Sequence, residues 1–159
     1  MIKIAVMLVS FSACLMTGII IKSRFHRKEK MLGQFISFCE SLKTQISFLQ
    51  TNLDRLIEIE IGKSRDDFKK LLECYLRELR GEAKFEKPKM LDEQEWEIMR
   101  NLFNGLGKSD IKNQVALCEN SKQAIMQNFE TARQKNKTEG SMWLKLMFCL
   151  GFVSIIVFV

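Results

Sequence analysis

A chain of 159 residues with 25 Lys and Arg against 19 Asp and Glu carries a net charge of +6. Acids interleave with bases from Glu29 to Glu139, which argues for a solvated helical surface and against a nucleic-acid binder, since such binders gather their cations on one face. The single histidine, His26, stands among Arg24, Arg27 and Lys28, where a metal cation is repelled. No second histidine or activated nucleophile is apparent, so neither a cofactor, a metal site nor an enzyme is expected.

The first element is apolar. Residues Ile4 to Ile21 carry no charged side chain, which predicts a transmembrane helix over residues 1–21. A cleavable signal peptide fits the length, but the apolar run continues through Ile19, Ile20 and Ile21 without a small-residue cleavage site before the charges. Phe11-Ser12-Ala13-Cys14 has the outline of a lipoprotein processing site, with Phe11 in place of leucine and an apolar run that does not stop at Cys14. Lys22, Arg24, Arg27, Lys28 and Lys30 crowd behind the segment, whereas only Lys3 and the amino terminus precede it, so the positive-inside rule places the central region in the cytoplasm.

The region 22–141 is expected to form one helical domain of ordinary size. Leu32, Phe35, Cys39, Leu42, Ile46 and Leu49 recur in steps of three and four, a helical stripe that can run straight on from the first segment. The spacing reaches Leu53 and Leu56, yet Thr51 with Asp54 has the form of an N-cap, so spacing is compatible with continuation or with a break before a short helix to Ile61. Packing within one domain and a coiled-coil seam both use such a stripe; the further amphipathic segments favour packing. Gly62 is expected to end that piece, and Ser64 with Asp67 to cap a helix carrying Phe68, Leu71, Leu72, Tyr75, Leu76 and Leu79 as far as Gly81.

Residues 82–91, with the only proline at Pro88, form the clearest loop. Asp92 and Glu95 announce a capped helix with Trp96, Met99, Leu102 and Phe103 inside. The run Gly105-Leu106-Gly107-Lys108-Ser109-Asp110 is the sharpest turn signal in the chain, with Ser109 available to cap the next helix, so two helices should fold back here. Gly107-Lys108-Ser109 echoes a P-loop ending, but Leu102 occupies the position that needs glycine, and no strand precedes it. Paired carboxylates at Asp66-Asp67 and at Glu93, Glu95 and Glu97 suit helix N-termini.

Ile111, Val115, Cys118, Ile125, Phe129 and Ala132 mark a last helix, which leads through a polar stretch into Met142–Val159. That terminal piece, residues 142–159, rises about 27 Å, near the roughly 30 Å of a hydrocarbon core. It is expected to span, with Lys145 reaching back to the headgroups; an interfacial helix is the alternative. With no CxxC pair, and with Cys14 and Cys149 in the apolar ends and Cys39, Cys74 and Cys118 on or beside apolar stripes, the cysteines point to a reducing compartment. The fold class is all-α, a helical bundle flanked by N- and C-terminal transmembrane helices.

Thr17-Gly18 in the first apolar segment, Leu106-Gly107 followed by Asp110 and Gln114, Lys135-Asn136, Met142-Trp143 and the glycine-bearing terminal segment together carry a resemblance. Over essentially its whole length the chain resembles the stage III sporulation protein AB family. The family has a Leu-Gly pair early in its last segment where this chain has Leu146-Met147, leaving Gly151. The resemblance implies a domain similar to the cytoplasmic domain of type II secretion platform proteins. It also implies a non-enzymatic scaffold of a sporulation channel complex in the mother-cell membrane around the forespore, coupling a cytoplasmic ATPase to the membrane assembly. The implied partners are a secretion-type ATPase, the other stage III sporulation membrane proteins and the lipid bilayer. Leu106, Gly107, Asp110 and Gln114 are the candidate interface, with turn formation as the competing role for the same residues. A platform component of a pilus or export system outside sporulation is the alternative, and a membrane-bound enzyme or sensor a more distant one, which a deep polar pocket would favour.

Overall fold

In the computed structural model the backbone is described at residues 2–49 and 53–158, and the side chains at residues 9, 11–46 and 53–153. Among the described residues the chain is all-α: α1 (Ile2–Leu49), α2 (Leu53–Lys63), α3 (Asp66–Leu79), α4 (Glu93–Gly105), α5 (Ile111–Lys135), a π-helical turn (Asn136–Gly140) and α6 (Ser141–Phe158). The helices form two units, Lys30–Glu130 and Met1–Glu29 with Thr131–Val159.

The unit 30–130 is built on the α1 stripe. Leu32, Phe35, Cys39, Leu42 and Ile46 are buried as their spacing predicts, joined by Met31 and Phe38, which widen the stripe to the breadth a core-facing helix needs. Phe35 and Phe38 meet Phe68 of α3 and Phe103 of α4, with Phe38 5.6 Å from Phe68 and 5.7 Å from Phe103 between ring centroids. Tyr75 stacks at 4.5 Å on Phe103, and its hydroxyl donates to the Phe103 carbonyl at 2.8 Å. Burial, with Glu78 nearby, holds the Tyr75 phenol protonated well above its ordinary range. The 82–91 loop is pinned by the Phe85 ring, 5.1 Å from Phe103 and 4.8 Å from Trp96.

From α2 to α4, helix ends follow local chemistry with two exceptions. Asp92 and Glu95 form the expected capping box. Gly81 takes a left-handed φ of 74°, and the Gly81 and Glu82 amides donate to the carbonyls of Glu78 and Arg77, which is the Schellman closure of α3. The first exception is that Gly62 does not end α2, which runs on to Lys63. The second is that Ser64 does not cap α3: the helix starts at Asp66, and the Gln34 side chain of α1 accepts the Arg65 amide at 3.1 Å instead. The expected cap at Thr51 lies outside the described residues.

Helices α4 and α5 fold back closely, since a Cβ on Gly105 would stand 2.5 Å from the Leu117 side chain. Helix α5 then lies along α1, with Phe129 against Gly33. Lys43 and Lys122 flank Glu119 at 2.9 and 3.1 Å. Their hydrogen bonds and charges lower the Glu119 pKa from 4.5 to about 2. Cys118, Ile125 and Ala132 are buried on α5, Val115 and Phe129 are half-buried, and Ile111 is exposed. Cys39 and Cys118 are free and buried, and burial raises both thiols, Cys118 to about 11, so neither is an activated nucleophile.

In the other unit, α6 packs on the beginning of α1. The Phe11 ring lies 6.1 Å from Phe148 and 5.8 Å from Phe152, and Gly151 leaves the room it needs, because a Cβ there would come within 2.7 Å of it. Gly18 likewise admits Met147. The polar end of this pair is tied by Asn136, whose amide donates to Glu29 Oε2 at 2.6 Å from the π-helical turn.

This arrangement corrects the expectation of transmembrane helices at residues 1–21 and 142–159. Among the described residues no helix is long and apolar enough to cross a membrane. The apolar stretch of α1 with described side chains starts at Val9 and meets Lys22, and that of α6 ends at Val153 and contains Lys145; a spanning helix needs about 20 apolar residues. The parts of both expected spans at residues 1–8, 10 and 154–159 lie outside the described side chains. Localisation in the mother-cell membrane and the role of a membrane-spanning scaffold rested on those spans, and neither is supported.

Two measurements check the packing. Phe103→Ala removes the ring on which Phe38, Tyr75 and Phe85 converge and is expected to cost about 3–5 kcal/mol in urea unfolding, whereas Leu79→Ala, at an exposed position, should cost under about 1 kcal/mol. Because the folded Glu119 pKa is depressed, its contribution is present above pH 4.5 and is lost as pH falls through about 2. The wild-type protein should therefore lose stability over that window by a component that Glu119→Gln lacks.

Candidate functional site

The α4–α5 turn is shaped by two glycines. After Gly105 the chain turns through Leu106, which is buried, and Gly107, which takes a left-handed φ of 74°. A Cβ on Gly107 would lie 3.3 Å from the Leu53 side chain of α2, so the turn is wedged against a neighbouring helix as well as bent. Lys108 donates its amide to the Gly105 carbonyl at 3.3 Å. Helix α5 begins at Ile111, so Asp110, one residue later than the expected Ser109, stands at its N-cap position and accepts the Gln114 amide at its carbonyl. The Gln114 side chain donates to the Ser109 carbonyl at 2.7 Å.

The four residues singled out in the sequence are thus brought together, with different surroundings. Leu106 is core, Gly107 sets the turn, and Gln114 braces it. The carboxylate of Asp110 is exposed and makes no hydrogen bond among the described residues. Lys108, Ser109, Ile111 and Lys112 are exposed around it, so the turn presents a rigid backbone with an isoleucine set among charges.

A second feature escaped the sequence reading. Gln34, Ser37, Phe38 and Ser41 of α1, with Glu60 and Lys63 of α2, Ser64 and Arg65, line a cavity of about 440 Å³. Glu60 is only 4% exposed, and its Oε1 accepts from Ser41 at 2.7 Å, Gln45 at 2.6 Å and Lys63 at 2.8 Å. Three donors compensate the burial of this carboxylate. The mouth is rigid: Gln34 holds the Arg65 amide, and Asp66 takes a left-handed φ of 55° and pairs with Lys30, whose ammonium lowers the Asp66 pKa. The only sequence signal was a glutamate at Glu60 between apolar positions of a short helix.

The basic residues expected to orient the chain lie mostly at the surface. Lys22, Arg24, Arg27 and Lys145 are exposed, Lys28 is half-buried, and Lys30 is the partner of Asp66. Among the described residues no group of three or more His, Cys, Asp or Glu is placed to hold a metal ion.

Compared with known families, residues 3–159 match the model of stage III sporulation protein AB. The chain belongs to the stage III sporulation protein AB family. No curated protein and no solved structure matches it. The turn through Gly107 and the cavity beside Glu60 each hold polar groups at the surface.

Glycine substitutions separate turn geometry from helix propensity. Gly107→Ala forces a side chain into a left-handed backbone beside Leu53 and should lower stability by about 1 kcal/mol or more. Gly62→Ala, inside α2 with open space around it, should raise stability by about 0.4–1 kcal/mol. Thermal and urea unfolding of both variants check the pair.

Proposed function

We propose that this chain acts in sporulation as a non-enzymatic docking protein, with unit 30–130 engaging a secretion-type ATPase through the α4–α5 turn. The observation that carries this reading is the turn itself. Its backbone is satisfied from within by Gln114 and Gly105, while Asp110, Lys108, Lys112 and Ile111 project from it. A contact surface of this kind is pre-organised, so a partner orders little on binding, and an apolar side chain ringed by polar ones matches the anatomy of interfaces. The ATPase is the partner that the family resemblance implies.

The paired helices α1 and α6 supply a second contact. Trp143, Leu146, Phe148, Leu150 and Phe152 of α6 and Ile19 and Ile20 of α1 are exposed large apolar side chains. Monomeric proteins rarely leave such groups together without a partner, and the other stage III sporulation proteins are the proposed occupants.

The test is crosslinking of the full chain in sporulating cells, with Asp110→Arg as the variant. Loss of the ATPase adduct with an unchanged melting temperature supports docking through the turn. An unchanged adduct, or purified protein that turns over a metabolite, refutes the reading.

A further inference from the structure

The cavity between α1, α2 and the start of α3 carries more polar chemistry than the fold uses. The three donors on Glu60 all converge on Oε1, and Oε2 makes no hydrogen bond among the described residues. The adjoining Gln45 Oε1 is buried and likewise has no partner. Both unused atoms are acceptors; Gln45 Oε1 is closed off from solvent, whereas Glu60 Oε2 is not among the buried unpaired atoms and can accept from an incoming donor. Arg65, five residues along at the same cavity, is exposed, and its guanidinium makes no hydrogen bond or ion pair among the described residues.

A carboxylate oxygen without a protein donor and an unpaired guanidinium, on residues lining one cavity, are complementary to a small molecule bearing both charges. Arg65 stands at the N-terminus of the 14-residue helix α3, where the helix dipole also favours a negative group. The ring of Phe38 supplies an apolar wall. The volume of about 440 Å³ falls within the roughly 300–1,000 Å³ of ligand sites. Lys63 already pairs with Glu60, which leaves Arg65 as the cation for an incoming anion.

The geometry points to a binding site for a free α-amino acid in the Glu60–Arg65 cavity. The ligand's ammonium donates to Glu60 Oε2, its carboxylate is held by Arg65, and its side chain faces Phe38. This site lies apart from the α4–α5 turn and is independent of the docking reading.

Calorimetric titration of the purified full chain with L-phenylalanine, L-leucine, L-glutamate and L-lysine tests it. At least one of the four should bind saturably and raise the melting temperature. Its N-acetyl and carboxamide derivatives should each bind at least about tenfold more weakly, the loss of one charge-assisted contact. Arg65→Ala, at an exposed position, and Glu60→Gln should weaken binding by the same factor. Where Glu60→Gln fails to fold, Arg65→Ala and the two derivatives decide. Saturable heat from none of the four amino acids, or equal binding by the derivatives or by Arg65→Ala, overturns the proposal.

Discussion

Four rings from two helices and a loop meet on Phe103 of α4: Phe38 from α1, Tyr75 from α3 and Phe85 from the 82–91 loop, with Phe35 of α1 at the edge of the cluster 6.5 Å away. Aromatic side chains remove large areas from water and also prefer tilted or edge-on contacts, so they fix mutual angles as well as distance. The hydrogen bond from Tyr75 to the Phe103 carbonyl adds a directional constraint inside the apolar mass. The positions of α1, α3 and α4 within unit 30–130 follow from this cluster, and each polar feature rests on one of them: the α4–α5 turn begins on α4, and the Glu60 cavity has one wall on α1.

Much of this was legible in the sequence because it is periodic or local. The buried faces of α1, α3 and α4, the capping box at Asp92 and the turns at Gly81 and Gly107 depend on residues within a few positions of one another. What escaped notice is non-local. Gln34 capping Arg65, Ser41 and Gln45 converging on Glu60, and Asn136 reaching Glu29 join residues 15 to 107 positions apart, and no spacing rule encodes them. Ser64 has the composition of a cap and does not act as one, since a partner on another helix satisfies the neighbouring amide.

The apolar ends illustrate a different failure. A run without charges says that side chains avoid water and is silent on what replaces it. Here Gly18 and Gly151 let α1 and α6 approach until Phe11, Phe148 and Phe152 form one cluster. Met147 is accommodated by Gly18 on the facing helix. Small residues thus secure close packing from either side of a helix pair.

The start of α3 depends on a glutamine 31 residues upstream. A helix whose first turn lacks a cap of its own nucleates poorly in isolation, because its leading amides are left to solvent. Secondary structure and tertiary docking therefore become one event at this corner. An excised α3 peptide would fray at its amino-terminal end, while in the intact chain ordering of α1 and initiation of α3 reinforce each other.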